Sequence, residues 1–185
     1  CSGITTFPAL DFSNGTNFQS AWQECDELTT FPLIDTSSAT NLGSAWAYCR
    51  KLAGTFPQIN TSNVTNFGSA WRECRKLTGT FPALDFSSAT NVAQAWRTVT
   101  LITEFPSCDF SNVTSFERSW DNNYKLTTYP ANQFDTTGTL SSNAFNAAFS
   151  NCKLTVQSIE NILTSLDTNG QQNIVLGMTG GSNAN

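Results

Sequence analysis

Aspartates recur at one position of this sequence: Asp11, Asp35, Asp85 and Asp109, with Asn60 in the third place. A column of carboxylates offers hard oxygen ligands of the kind that could collect calcium. Each, however, precedes a Ser- or Thr-rich stretch, where an Asp or Asn side chain accepts the N–H groups of its own turn. Turn capping is the stronger reading. Nothing distinguishes one carboxylate's environment from the next, and acid–base catalysis needs pKa values driven apart. The chain has no histidine, which removes an imidazole base, a Ser-His-Asp set and histidine metal ligands. The expectation is a non-enzymatic protein with no catalytic site, no metal site and no cofactor.

Three further columns invite chemistry. Trp22, Trp46, Trp71, Trp96 and Trp120 could be platforms for sugars or bases, but each shares a face with recurring apolar residues. A buried core ladder is expected, joined by Cys25, Cys49 and Cys74. With Cys1, these cysteines are spaced by 24, 24 and 25 residues, and Val99 and Asn123 fill the place later. That regularity favours free, buried thiols, with bonding between neighbouring repeats as the alternative, so the redox compartment stays open. The residue before each Phe-Pro is Thr6, Thr30, Thr55, Thr80, Glu104 and Thr128. Threonine favours strands, and a flat row of it can match a periodic surface such as ice. Glu104 interrupts that row, and an ordinary solvent-facing column is the better reading.

The elements that carry these columns are repeats. Phe7-Pro8, Phe31-Pro32, Phe56-Pro57, Phe81-Pro82, Phe105-Pro106 and Tyr129-Pro130 follow at intervals of 24, 25, 25, 24 and 24 residues. A fixed period of this size predicts a solenoid whose units bury their cores only against one another. Within a unit, Leu28 to Asp35 reads as a short strand ended by Pro32. Asp35 to Asn41 reads as a turn. Leu42, Ala45-Trp46 and Cys49 then fall on one face of a short helix, with Thr40 or Asn41 as its N-cap.

The last copy departs from the rule. Phe149 replaces the next tryptophan, with Cys152 and Leu154 behind it. Ile159, Ile162, Leu163 and Leu166 predict an amphipathic helix capped near Gln157 or Ser158, followed by a turn, a final strand over 173–178 and a loose tail. This reads as a C-terminal cap over about 155–180, closing repeats that occupy about 1–154 of a single domain spanning 1–185. Cys1 stands at the end-of-helix position of a unit whose beginning is missing, which reads as a chain cut from a longer one, the alternative being that something else covers that face.

The chain has 185 residues, 39% hydrophobic and only 12% charged, with a net charge of −5. That balance argues against a nucleic-acid partner. No apolar run is long enough to cross a bilayer, so no membrane insertion is expected.

Units of the form L-T-x-F-P-x-x-D-x-S-x-x-T-N-x-x-x-A-W-x-x-C resemble the BspA-like leucine-rich repeats of bacterial surface proteins, and more closely the variant in tailed-bacteriophage proteins. Leu28, Leu52 and Leu77 take the family's leading leucine, and Cys25, Cys49 and Cys74 its cysteine. The tryptophans stand where many relatives carry Met-Phe, and Leu154 to Asp167 resembles the family's terminal cap. Val99, Asn123 and Asn60 depart from the pattern. The resemblance implies a leucine-rich-repeat-like α/β solenoid, a short strand plus a short helix per unit of 24–25 residues, with a helical C-terminal cap. It also implies a virion (tail or fibre) or extracellular cell-surface setting and a role in adhesion or host recognition.

The expected function is therefore recognition by an exposed sheet face, through variable positions that include Thr6, Thr30, Gln58, Thr80 and Glu104. The partners implied are a host-surface glycan or protein, other copies of the chain, or other virion subunits. The alternative is a structural spacer or assembly element with no specific ligand.

Overall fold

The computed structural model describes residues 3–8 and 10–178. The reading of Cys1 and that of the tail beyond 178 lie outside them. Among the described residues there is one α-helix, α1 (Val156–Thr168), and one open parallel sheet. The sheet has three short strands, β1 (Ala53–Gly54), β2 (Lys76–Thr80) and β3 (Leu101–Glu104), in the order β1-β2-β3. This overturns the leucine-rich-repeat-like α/β solenoid, because the repeated helix does not form. The leucine-rich-repeat description falls with it, as does the phage virion and tail-fibre setting attached to that description.

What replaces the helix is a ribbon of β-turns. Ala45, Ala47 and Cys49 N–H groups bond to Leu42, Ser44 and Trp46 carbonyls, three residues back. The intervening Ser44, Trp46 and Tyr48 N–H groups instead reach Gly68, Ala70 and Arg72 of the following unit. Ser44 and Tyr48 take φ of 55° and 65°, the positive value required at the third residue of a type II turn. Ser20 and Glu24, Ser69 and Glu73, and Gln94 and Thr98 repeat the arrangement. The helical spacing of Leu42, Trp46 and Cys49 is equally met by this ribbon, which turns the same residues inward.

The strand side is equally sparse. Thr6 bridges Thr30, and Glu104 bridges Thr128, as single parallel pairs. Only where a glycine is inserted does pairing lengthen. Gly54 and Gly79 are the extra residues that make two units 25 long, and both have φ of 77°. The β2–β3 register shifts at Gly79/Thr80, as a bulge requires.

Beneath lies an aromatic core in two parallel ladders. The tryptophan rings from Trp22 to Trp120 follow one another at 5.3, 5.6, 5.8 and 5.5 Å, and Phe149 continues at 4.9 Å. Phe31, Phe56, Phe81 and Phe105 form the second ladder, edge-on to the first. Such geometry adds about 0.5–1.5 kcal/mol per pair beyond burial.

Helix α1 covers the last edge. Thr155 is its N-cap, accepting from Ser158 N–H, two or three residues earlier than expected. Ser158 donates to the Thr127 carbonyl and accepts from Tyr129 N–H, while Asn161 donates to the Tyr129 carbonyl. Polar side chains thus serve backbone groups that a further strand would have served. Ile162 and Leu166 are buried, whereas Leu163 faces solvent, contrary to expectation. The segment expected as a final strand is not one. It runs along the last turns instead, with Val175 N–H on Ser142 O and Phe149 N–H on Gly177 O.

Candidate recognition face

Five positions on the strand side were singled out above, and the structure places four of them in one exposed row. Thr6 and Thr30 bridge directly. Thr80 and Glu104 pair across β2 and β3, and Thr80 Oγ1 donates to Glu104 Oε2 at 3.3 Å. Thr55 and Thr128 complete the row, and all six side chains are exposed. Gln58 stands apart, beyond Pro57, where its Nε2 donates to the Ala83 carbonyl of the next unit at 2.7 Å. Its column also holds Leu33, which is 65% exposed.

Trp22, Trp46, Trp71, Trp96 and Trp120 are all buried, so no indole is offered to a ligand. The Nε1 atoms of Trp46, Trp71, Trp96 and Trp120 find no acceptor. Cys25, Cys49 and Cys74 are buried free thiols. Cys49 Sγ donates to the Trp22 carbonyl at 3.0 Å and Cys74 Sγ to the Trp46 carbonyl at 3.1 Å. Burial pushes the Cys49 thiol up to about 12 and the Cys74 thiol well above its ordinary range.

The aspartate column caps its own turns, as the sequence led us to expect. Asp11, Asp35, Asp85 and Asp109 each accept the N–H of the serine two residues on, at 2.9 Å, and Asn60 does the same at 3.1 Å. Bonds from Ser13, Ser37 and Ser87 hold the Asp11, Asp35 and Asp85 carboxyls below the usual range. No group of three or more potential metal-ligating side chains converges among the described residues.

Two arrangements were not foreseen. Asn41, Asn66 and Asn91 form a ladder whose side chains bond from unit to unit; their recurrence after threonine was visible but suggested helix capping. On the turn corner, Arg50 and Lys51 form ion pairs with Asp26 and Glu27 of the preceding unit. Arg50 and Arg72 also lie over the Tyr48 ring, each 5.2 Å from its centroid.

No family model matches the chain, no curated protein aligns with it, and no solved structure matches it.

Proposed function

We propose that this chain is a non-enzymatic recognition or adhesion module that presents its strand-side rows to an extended surface ligand, a glycan or a protein. The observation that carries this reading is the exposed row Thr6, Thr30, Thr55, Thr80, Glu104 and Thr128 over a continuous aromatic core. Short side chains on a rigid base lose little freedom on binding, which favours contact with an extended partner. The lack of histidine and the commitment of the aspartates to their own turns support a role without catalysis.

Glycan-array binding and adsorption to cells test the reading. Binding that weakens when Thr30 and Thr80 are replaced by arginine would support it. Uniformly negative results together with tight self-association would overturn it in favour of a structural spacer. The unit-to-unit hydrogen bonds that rigidify the molecule favour that second reading.

A further inference from the structure

Six of the nine basic residues of the chain lie along one exposed edge. Arg50, Lys51, Arg75, Lys76, Lys125 and Lys153 follow the cysteine column by one or two residues, and all six are exposed. The remaining three arginines sit on the turn ribbon that leads into that column. Asp26 and Glu27 occupy the same columns in the first unit, so the edge carries six basic residues against two acidic ones in a chain of net charge −5. Ion pairs engage Arg50, Lys51 and Arg75, the last with Glu73. No ion pair among the described residues holds Lys76, Lys125 or Lys153.

The edge adjoins the threonine row. Lys76 opens β2, which continues to Thr78 and Thr80. Lys153 N–H bonds to the Leu126 carbonyl, which places Lys153 beside the unit of Lys125. Tyr124, next to Lys125, is 50% exposed and is the one exposed aromatic side chain among the described residues. Successive units pair through parallel backbone hydrogen bonds, so the side chains of one column recur at intervals of about 4.8 Å.

We infer that this edge binds an acidic polysaccharide laid along the direction in which the units succeed one another. Its carboxylate or sulfate groups meet Lys76, Lys125 and Lys153, a sugar ring rests on Tyr124, and hydroxyls reach the threonine row. The inference rests on the recognition reading and gives it a ligand class and a place. A single-stranded nucleic acid is less well served, since its bases need a series of aromatic platforms. Tyr124 offers one, and the Tyr48 ring is already occupied by Arg50 and Arg72.

The test measures binding of the intact protein to alginate, heparin, neutral dextran and a single-stranded oligonucleotide, at low and moderate salt. The same panel is run on the triple variant Lys76→Ala/Lys125→Ala/Lys153→Ala, whose exposed positions leave the core intact. Unchanged circular dichroism and melting temperature check that it does. The expected result is salt-sensitive binding to alginate or heparin that falls roughly ten-fold or more in the triple variant, as the loss of three counterion-releasing contacts implies. Equally tight oligonucleotide binding with the same loss would overturn the inference by showing an indiscriminate polyanion site. Binding only to neutral glycans or to cells, unaffected by the triple variant, would overturn it while leaving recognition standing. No binding to any glycan or cell would overturn both.

Discussion

Asn66 Nδ2 donates to Asn41 Oδ1 at 2.9 Å, and Asn91 Nδ2 donates to Asn66 Oδ1 at the same distance. Each of these oxygens also accepts the backbone N–H two residues on, Gly43 for Asn41 and Gly68 for Asn66. The glycines make room for the ladder. A Cβ on Gly43 would stand 2.7 Å from Asn66 Nδ2, and one on Gly68 the same distance from Asn91 Nδ2. Where the next unit offers the shorter Ser115, the equivalent residue is Ala93. In the first unit that place is Gln19, and Asn41 Nδ2 turns to Gln19 Oε1. Replacing Asn66 by alanine should cost about 1–3 kcal/mol, because Asn41 and Asn91 both lose a partner along with Gly68 N–H. Asn17→Ala should cost less, since Asn17 accepts only from Gln19 N–H. Urea unfolding of the two variants measures the difference, and equal costs would contradict the ladder's role.

Trp71 has a tryptophan on each side, at 5.6 and 5.8 Å, whereas Trp22 has one, at 5.3 Å. Trp71→Ala should cost about 3–5 kcal/mol through lost burial and the cavity left behind. Trp22→Ala should cost less. Fluorescence gives an independent check. Emission at short wavelength, resistant to iodide, is expected, and red-shifted, readily quenched emission would count against the buried ladder.

Asn123 occupies the cysteine column, fully buried, with neither its amide nitrogen nor its oxygen hydrogen-bonded. Val99 fills the same place one unit earlier. Asn123→Val should therefore stabilise the protein by about 1–3 kcal/mol, by removing a desolvated polar group without a partner. Chemical denaturation at neutral pH would show it, and a loss of stability would sink the idea.

Thiol burial sets an alkaline limit. In the unfolded chain a cysteine ionises near 9.0, whereas desolvation raises Cys49 and Cys108 to about 12. Because the folded values are the higher ones, their contribution is complete below pH 9.0 and is lost as pH rises toward about 12. Stability measured across that window should fall. Iodoacetamide should modify Cys49, Cys74 and Cys152 only as the protein unfolds, and rapid labelling of the native protein would refute the prediction.

Much of this organisation was legible in the sequence, and what was not has a physical cause. The register of the units follows from the Phe-Pro and tryptophan spacing, because residues that pack on their own equivalents must recur at one interval. The Asp35 turn was readable from the serine two residues on. The turn ribbon was not, since Leu42, Ala45, Trp46 and Cys49 point inward on a helix and on successive β-turns alike. The residues that decide between them, Ser44 and Tyr48 at positive φ, are of types that carry no preference for that conformation. The 25-residue units were visible, but why Gly54 and Gly79 are the added residues needs the backbone. On the candidate face, the threonine row was legible as a column. The partition between exposed residues and those spent on unit-to-unit bonds, as Gln58 is, was not.

The turn ribbon has an electrical consequence. Phe18, Ser20, Trp22 and Glu24 N–H groups all bond forward, to Asn41, Gly43, Ala45 and Ala47 carbonyls, and Leu42, Ser44, Trp46 and Tyr48 repeat the same sense. Peptide dipoles aligned head to tail add, as they do along an α-helix, but here they add across units instead of along the chain. The ribbon is therefore polarised, its carbonyls pointing back along the units and its N–H groups pointing to a positive pole at the unit of Phe149. At that positive pole the Gly177 carbonyl meets Phe149 N–H, so the C-terminal segment acts as a counter-electrode to the column it closes.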